Sequence, residues 1–201
     1  MRIIGGKFRG NPILPVHQRA VRPTAARVRE SVFNILSSDT QEAIVLDLFS
    51  GTGAMGMEAI SRGAIFAVFI DQNKKMLSTI ERSVRQLNIV KQTKIIRWNI
   101  LKNLNCIKHF QFPLPEHLSA YPSGSSSKEI NLVFIDPPYN KGFIEPTLRH
   151  LNTCDALSNG AVVVIEHALS ESIPENLMTY TITDQRKYGQ THLSFLEYRR
   201  K

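Results

Sequence analysis

Short apolar runs and amphipathic segments alternate along most of the chain. A continuous apolar run bounded by turn residues is typical of a buried strand, and apolar residues three or four positions apart predict a helix. This alternation indicates an α/β fold, in which helices cover both faces of a mostly parallel sheet. It predicts strands at 44–49, 66–70, 93–98, 130–135 and 160–166, and helices at 54–61, 73–87 and 143–151.

The last part of the chain has a different pattern. Residues 179–186 and 191–198 are two runs in which polar and apolar positions alternate, and they are joined through Tyr188-Gly189-Gln190. Two such runs predict an antiparallel hairpin, which we place at the edge of the sheet.

The chain is predicted to begin with a small extension, residues 1–38, ahead of a main domain formed by residues 39–201. Gly5-Gly6 predicts a hairpin turn between two short basic and apolar runs. A helix should open at Pro23-Thr24, with Thr24 as its N-cap. It would keep Arg27 and Arg29 on the surface, because its apolar stripe consists of Val28, Val32, Ile35 and Leu36, with Phe33 beside it.

Residues 102–128 have the least regular pattern of the chain. Prolines and a run of serine and glycine break any periodicity there. We interpret this segment as a helix followed by a long surface insertion.

The charge balance adds a partner to this picture. The 201 residues include 25 Lys and Arg against 17 Asp and Glu, a net charge of +8. A basic surface favours a polyanion, most often nucleic acid, although it can also serve solubility alone.

Other compositional features exclude several classes of protein. Cys106 and Cys154 lie far apart in the sequence, which fits free thiols in a reducing cytoplasm. The histidines lack the spacing of metal ligands, so no metal is predicted. No apolar run is long enough to span a membrane, and the amino terminus is too polar for a signal peptide. We expect a cytoplasmic monomer.

A glycine-rich turn, Ser50-Gly51-Thr52-Gly53, follows the first predicted strand. Glycines let a ligand approach the backbone, and the helix that follows points its amino end at that ligand. Asp71 ends the second strand, where a carboxylate is placed to bind a ribose diol. Because Gly51, Gly53 and Gly56 match the fingerprint G-x-G-x-x-G, an NAD-dependent oxidoreductase is a rival interpretation.

Three features favour S-adenosylmethionine over a nicotinamide dinucleotide. Asp47 precedes the glycines by about one turn, where its carboxylate can hold the ammonium that only S-adenosylmethionine has. The chain is short for a second, substrate-binding domain. An antiparallel terminal hairpin is typical of sheets that bind S-adenosylmethionine.

Asp136-Pro137-Pro138-Tyr139 follows the predicted strand 130–135. The two prolines fix the backbone and remove two donors, which leaves carbonyl oxygens to accept hydrogen bonds. With the Asp136 carboxylate and the flat face of Tyr139, this segment suits a planar group that carries an amino group, such as adenine, guanine or an amide. The alternative is a strand end with a packed tyrosine.

The chain resembles the class I S-adenosylmethionine-dependent methyltransferases, and within them the RsmD family of 16S ribosomal RNA guanine-N2 methyltransferases. The two site motifs support only the broad class. The motifs near the amino terminus indicate the family, and the whole set is Arg2-Ile3-Ile4-Gly5-Gly6-Lys7-Phe8-Arg9-Gly10, Arg22-Pro23-Thr24, Arg27-Val28-Arg29-Glu30, Phe33-Asn34, Asp47-Leu48-Phe49-Ser50-Gly51-Thr52-Gly53, Asp136-Pro137-Pro138-Tyr139 and Tyr188-Gly189.

This resemblance implies a seven-stranded Rossmann-like sheet of order 3-2-1-4-5-7-6 with strand 7 antiparallel. It implies that S-adenosylmethionine is the cofactor and that Asp71 binds its ribose. Asn99, where many methyltransferases have Asp, would meet the adenine. The loop around the methionine end would consist of Asp47, Ser50, Gly51, Thr52 and Gly53.

The function that the resemblance implies is methylation of a guanine N2 amine in 16S rRNA of the small subunit. The catalytic segment would be Asp136, Pro137, Pro138 and Tyr139. Alternatives are adenine-amino methylation of DNA or RNA, the oxidoreductase above, and a non-catalytic RNA-binding assembly factor. Candidate phosphate contacts are Arg2, Lys7, Arg9, Arg22, Arg27 and Arg29.

Overall fold

The computed structural model describes residues 1–15, 26–108, 110, 112, 129–174 and 178–200. They form one seven-stranded sheet of order β3-β2-β1-β4-β5-β7-β6, in which β7 is antiparallel to both of its neighbours. The predicted α/β fold and strand order are therefore confirmed. The strands are β1 (Ile44–Leu48), β2 (Phe66–Asp71), β3 (Thr93–Arg97), β4 (Ile130–Ile135), β5 (Leu157–Ala168), β6 (Tyr180–Tyr188) and β7 (Thr191–Tyr198).

Helices cover both faces of the sheet. Alternate strand residues point to opposite faces, so Val45 packs in one apolar cluster and Leu46 in the other. The first cluster contains the apolar sides of α1, α2 and α3, and the second contains that of α4. These helices are α1 (Ala26–Leu36), α2 (Ala54–Ser61), α3 (Lys74–Gln86) and α4 (Ile144–Thr153).

The amino-terminal hairpin is present, but its turn is wider than predicted. A short 3-10 helix, Gly6–Phe8, forms the turn, and the returning arm is residues 10–13 rather than 7–9. The Ile3 amide donates to the Asn11 carbonyl at 3.0 Å, and the Gly10 amide donates to the Ile3 carbonyl at 2.9 Å. The hairpin contributes Ile3 and Ile13 to the first apolar cluster, so it shares a core with the main domain.

The prediction for α1 was wrong at two positions. Arg29 is fully buried, whereas Ile35 is 36% exposed. The buried stripe is Val28, Arg29, Val32, Phe33 and Leu36. An arginine occupies an inner position because a buried carboxylate on α2 faces it.

That carboxylate is Glu58, which is 0% exposed and joins the hairpin, α1 and α2. Its two oxygens accept the amides of Ile4 and Gly5, each at 2.8 Å. Arg29 Nε lies 3.5 Å from one oxygen, and Arg62 Nε donates to the other at 2.8 Å. A buried carboxylate needs such partners, and removing one member of a buried pair is strongly destabilising.

Two predictions concern residues outside the described ranges. Arg22, Pro23 and Thr24 lie there, and so does most of the segment 102–128. The described residues 102–108 form turns instead of the expected helix. No helix among the described residues is long and apolar enough to cross a membrane.

Candidate functional site

The loop between β1 and α2 lies at the carboxyl edge of the sheet. The Ser50 amide donates to the Ile70 carbonyl at 3.1 Å, which ties the loop to β2. Phe49, Gly51 and Gly53 have φ values of 55°, 50° and 74°, in the left-handed region that favours glycine. The chain thus reverses tightly and enters α2 at Ala54, with the amino end of α2 facing the loop.

Asp47 lies beneath this loop and is 3% exposed. Its Oδ2 accepts the Gly56 amide at 3.0 Å and so holds the first turn of α2. Burial raises the pKa of Asp47 to about 8, although the Gly56 amide favours the ionised form. The sequence did not show that Asp47 supports the loop. Its contact with a ligand ammonium stays a prediction.

Asp71 holds two backbone segments at the end of β2. Its Oδ2 accepts the Gly51 amide at 2.9 Å, and its Oδ1 accepts the Asn73 amide at 2.8 Å. Each carboxylate oxygen has a further lone pair that can accept a hydroxyl. The predicted ribose contact is compatible with this arrangement.

Beyond Asp71, a cavity of about 600 Å³ opens beside the end of β3. Asn99 lines it and is exposed, and its Oδ1 accepts the Leu101 amide at 3.0 Å. The predicted adenine contact therefore lies in a cavity next to the predicted ribose contact. The lining residues are Gln72, Arg97, Trp98, Asn99, Lys102 and Asn103.

The Asp136–Tyr139 segment begins directly after β4, which pairs with β1. The Asp136 amide is 3.5 Å from the Leu48 carbonyl, so the two loops leave the sheet side by side. Phe49 and Phe143 stack at 6.1 Å between ring centroids and 15° between ring planes, which joins the loops again. Pro137 is buried and Pro138 is exposed.

Tyr139 is half-buried, and its hydroxyl is bound by two other strands. The hydroxyl donates to Glu166 Oε1 of β5 at 2.8 Å and lies 3.1 Å from Thr191 Oγ1 of β7. Burial raises the pKa of Tyr139, so the hydroxyl stays neutral and can donate. A third contact, from Ser170 Oγ to Asn140 Oδ1 at 2.6 Å, holds the residue after Tyr139.

Sequence reasoning missed Glu166, Thr191 and Ser170. Glu166 and Thr191 lie 27 and 52 residues from Tyr139 in the sequence. Ser170 lies 30 residues from Asn140. They belong to segments that show only strand or turn patterns. No local signal could have identified them.

The loop after β1 offers groups that fit the polar end of S-adenosylmethionine. Within the described part of the chain, Ser50 Oγ is buried without a hydrogen-bond partner. A Cβ added at Gly51 would meet only the Phe49 carbonyl oxygen, at 3.8 Å, so this side of the loop is open. A buried hydroxyl that a ligand can satisfy and an open glycine backbone match a charged amino-acid moiety.

The predicted phosphate contacts fall into three groups. Arg2, Lys7, Arg9 and Arg27 are exposed. Arg29 is not a surface residue, because it pairs with Glu58 and donates to the Arg2 carbonyl at 2.7 Å. Arg22 lies outside the described residues. As far as the structure describes the chain, no group of three His, Cys, Asp or Glu side chains is arranged to hold a metal.

A sheet of this strand order, with a glycine-rich ligand loop after β1, is the fold of the class I S-adenosylmethionine-dependent methyltransferases. The family described as Conserved hypothetical protein 95 matches residues 1–197. Ribosomal RNA small subunit methyltransferase D of Buchnera aphidicola (subspecies Acyrthosiphon pisum) is 31% identical over 187 residues, which cover 91% of this chain and 88% of that protein. The chain therefore belongs to the RsmD family of methyltransferases.

Other relatives and solved structures are similar to most of this chain. The protein of the same name from Escherichia coli K12 is 29% identical over 190 residues, 94% of this chain and 86% of its own. The structure of yhhF from Escherichia coli superposes with a TM-score of 0.80 at 26% identity, covering 100% of this chain and 99% of that one. An RNA methyltransferase from Salinibacter ruber, solved with S-adenosyl-L-homocysteine, shares the fold at 12% identity, with a TM-score of 0.62 and coverage of 90% and 95%.

Proposed function

We propose that this chain methylates the exocyclic N2 amine of a guanine in 16S rRNA of the small ribosomal subunit, with S-adenosylmethionine as methyl donor. The observation that carries the proposal is the position of the Asp136–Tyr139 segment, beside the glycine-rich loop at the edge shared by β1 and β4. The names of the relatives support rRNA as the substrate class. We further propose that the protein acts as a cytoplasmic monomer.

The residues after β4 would position the amine. An exocyclic amine on a base is a poor nucleophile, because its lone pair is delocalised into the ring. Two acceptors on its hydrogens favour the pyramidal amine and direct the lone pair outward. We assign these acceptors to the Asp136 carboxylate and the Pro137 carbonyl oxygen, which the proline rings hold in fixed backbone geometry.

Alignment is the main contribution expected of the protein. S-adenosylmethionine, when bound, supplies a methyl group that its positive sulfur has already activated. Asp47, Ser50 and Asp71 would hold the polar ends of the cofactor, and Tyr139 would stack on the base. Holding two reactants in line can contribute about 7–11 kcal/mol to lowering the barrier. A guanine inside structured RNA has to leave its stack to reach Tyr139.

Substitution of Asp136 tests this assignment. Asp136→Ala and Asp136→Asn should each lower turnover on small subunits by about a hundredfold or more, the typical loss of one transition-state hydrogen-bond partner. Radiolabelled methyl transfer to purified subunits measures the rate. Calorimetry with S-adenosylhomocysteine should show unchanged affinity, since Asp136 is assigned to the amine. Near wild-type turnover in both variants would remove Asp136 from the mechanism.

The identity of the modified base is read from the same reaction. Digestion of the labelled RNA followed by mass spectrometry should give N2-methylguanosine. A methylated adenosine would instead support the adenine-amino alternative. If the protein binds the cofactor but transfers no label to the RNA, the result would support the assembly-factor alternative.

A further inference from the structure

The positive charge of this chain is concentrated in residues 72–108 and in the amino-terminal extension. Residues 72–108 contain nine of the 25 Lys and Arg residues but only one of the 17 acidic residues, Glu81. The rest of the chain has 16 basic and 16 acidic residues and is neutral in sum. This segment therefore has a net charge of +8, and residues 1–38, with seven basic residues and one acidic residue, have a net charge of +6.

The structure places this segment along one side of the molecule. It comprises α3, the 3-10 turn Val90–Gln92, the edge strand β3 and the turns that follow it. All nine basic side chains are exposed, and we call this surface the α3–β3 face. Its basic residues are Lys74, Lys75, Arg82, Arg85, Lys91, Lys94, Arg97, Lys102 and Lys108.

The exposed arginines of α4, of β6 and of the residues after β7 are paired with acids. Arg149 contacts Glu145 at 2.6 Å, and Arg186 contacts Asp184 at 2.9 Å. Arg199 likewise lies 3.3 Å from Glu197. Among the described residues, none of the nine basic side chains of the α3–β3 face has a carboxylate within 4.0 Å.

Two structural explanations account for only part of this charge. Charged residues on an edge strand prevent pairing with other sheets, but this applies to Lys94 and Arg97 alone. Solubility does not explain Lys74 and Lys75, which lie in the first turn of α3. Cations are unfavourable at that end of a helix, and the turn contains no acidic residue. An external anion would offset this repulsion.

We infer that the α3–β3 face binds the phosphate backbone of the RNA whose methylation is proposed above. The inference rests on that proposed function. The 13 residues of α3 extend about 20 Å. One strand of a duplex carries roughly six phosphates over that distance, by its rise of about 3.4 Å per phosphate.

The face is continuous with both other regions assigned to substrates. At the amino-terminal hairpin, Lys7 Nζ donates to Gln92 Oε1 at 3.4 Å. At the carboxyl edge of the sheet, Arg97 and Lys102 line the cavity that contains Asn99. RNA held on this face therefore passes beside the predicted adenine pocket.

The test compares two triple variants of equal net charge. Arg82→Gln, Arg85→Gln and Lys94→Gln remove three unpaired cations from the α3–β3 face. The control removes three paired ones through Arg149→Gln, Arg186→Gln and Arg199→Gln. Filter binding of a 16S rRNA fragment from 0.05 to 0.3 M salt, a range of about sixfold, gives the affinity and its salt slope.

We expect the face variant to lose about tenfold or more in affinity at 0.1 M salt. Its slope of log affinity against log salt should be smaller by about 2 to 3, since each lost phosphate contact lowers the slope by about 1. The control should change by less than about twofold. S-adenosylhomocysteine binding should be unchanged in both, because all six positions are exposed and outside the cofactor loop.

Two results would overturn the inference. Equal losses in both variants would mean that only net charge matters. Normal binding of free RNA by the face variant, with reduced binding of the assembled subunit, would assign the face to a ribosomal protein. Methyl transfer by the wild-type protein is measured in parallel. If only the face variant loses RNA affinity and the wild-type protein shows no methyl transfer, the RNA-binding role of the face is supported and the proposed catalysis is rejected.

Discussion

The two loops of the site are held in different ways. The loop after β1 is fixed through its own backbone amides. Those of Ser50 and Gly53 donate to backbone carbonyls, and that of Gly51 donates to the carboxylate of Asp71 at the end of β2. The segment after β4 is fixed by side chains from β5, β7 and the turn after β5. The conformation of the loop after β1 depends on glycines at particular positions. The conformation of the segment after β4 depends on side chains that are distant in the sequence.

This difference explains which half of the site the sequence reveals. A backbone-determined loop needs a short run of particular residues, so its motif is visible in the sequence. For a loop that is fixed by distant side chains, the local sequence contains only one of the two partners of each contact. Substitutions in each loop should separate these two modes of support.

Alanine at two glycines of the first loop should have different consequences. At Gly53, φ is 74°, and an added Cβ would lie 3.1 Å from the side chains of Ile80, Met57 and Phe69. Gly53→Ala should lower the free energy of unfolding by about 3 kcal/mol, combining left-handed strain and overpacking. Chemical denaturation measures this loss.

Gly51→Ala is the matched control. Its Cβ would enter open space, so only the strain of a φ of 50° remains, about 1 kcal/mol. Its affinity for S-adenosylhomocysteine should nevertheless fall by about tenfold or more, because the cofactor is expected to lie against this backbone. Equal affinity in Gly51→Ala and the wild type would place the cofactor elsewhere.

Removal of one hydroxyl should disturb the second loop. Tyr139→Phe keeps the ring for stacking but removes the donor to Glu166 and the contact with Thr191. A hydrogen bond to a charged group contributes about 1.5–3 kcal/mol, so unfolding should become easier by about 2 kcal/mol. Turnover should fall about tenfold, since the ring would no longer be held in one orientation.

Tyr180→Phe provides the comparison. The Tyr180 hydroxyl donates to the Leu148 carbonyl at 3.1 Å and takes no part in the loop after β4. Its loss should reduce stability without changing turnover. If both variants retain full turnover, the hydroxyl of Tyr139 supports the fold and not the base pocket.

The helix α1 and the second loop show the limits of sequence reasoning in the same physical terms. Most element boundaries follow from apolar periodicity, because five of the seven strands bury side chains. The strand order followed from the family resemblance. The inner position of Arg29 could not be predicted, since it requires Glu58 of α2 as its partner. Likewise, Asp136–Tyr139 predicted a pocket, but the contacts that orient Tyr139 come from strands whose patterns only indicate pairing.

The buried carboxyl of Asp47 should make the first loop sensitive to pH. Its pKa of about 8 lies above the ordinary value of 3.8, so the folded protein holds the Asp47 proton more tightly than the unfolded chain does. The stability that this proton gives the folded state is complete below about pH 4 and is lost as the pH rises through 8. A bound ammonium favours the ionised form. Affinity for S-adenosylhomocysteine should therefore increase up to about tenfold per pH unit between pH 6 and 8.

Asp47→Asn isolates this effect in isothermal titration. The amide keeps an oxygen for the Gly56 amide but cannot ionise, so the affinity of this variant should be flat over the same range. Parallel pH profiles for Asp47→Asn and the wild type would show that Asp47 supports the loop without contacting the ligand.

The smallest effect is expected where the second loop is held at the surface. Ser170 and Asn140 are both exposed, so their hydrogen bond should contribute only about 0.5 kcal/mol to stability. Asn140 has a φ of 56°, which asparagine tolerates better than most residues. Ser170→Ala should reduce turnover two- to threefold, because Asn140 directly follows Tyr139 in the chain. Asn140→Gly removes the same hydrogen bond but relieves the left-handed strain, so it should preserve stability and show the same loss of turnover. Full turnover in both variants would mean that Glu166 and Thr191 alone orient Tyr139.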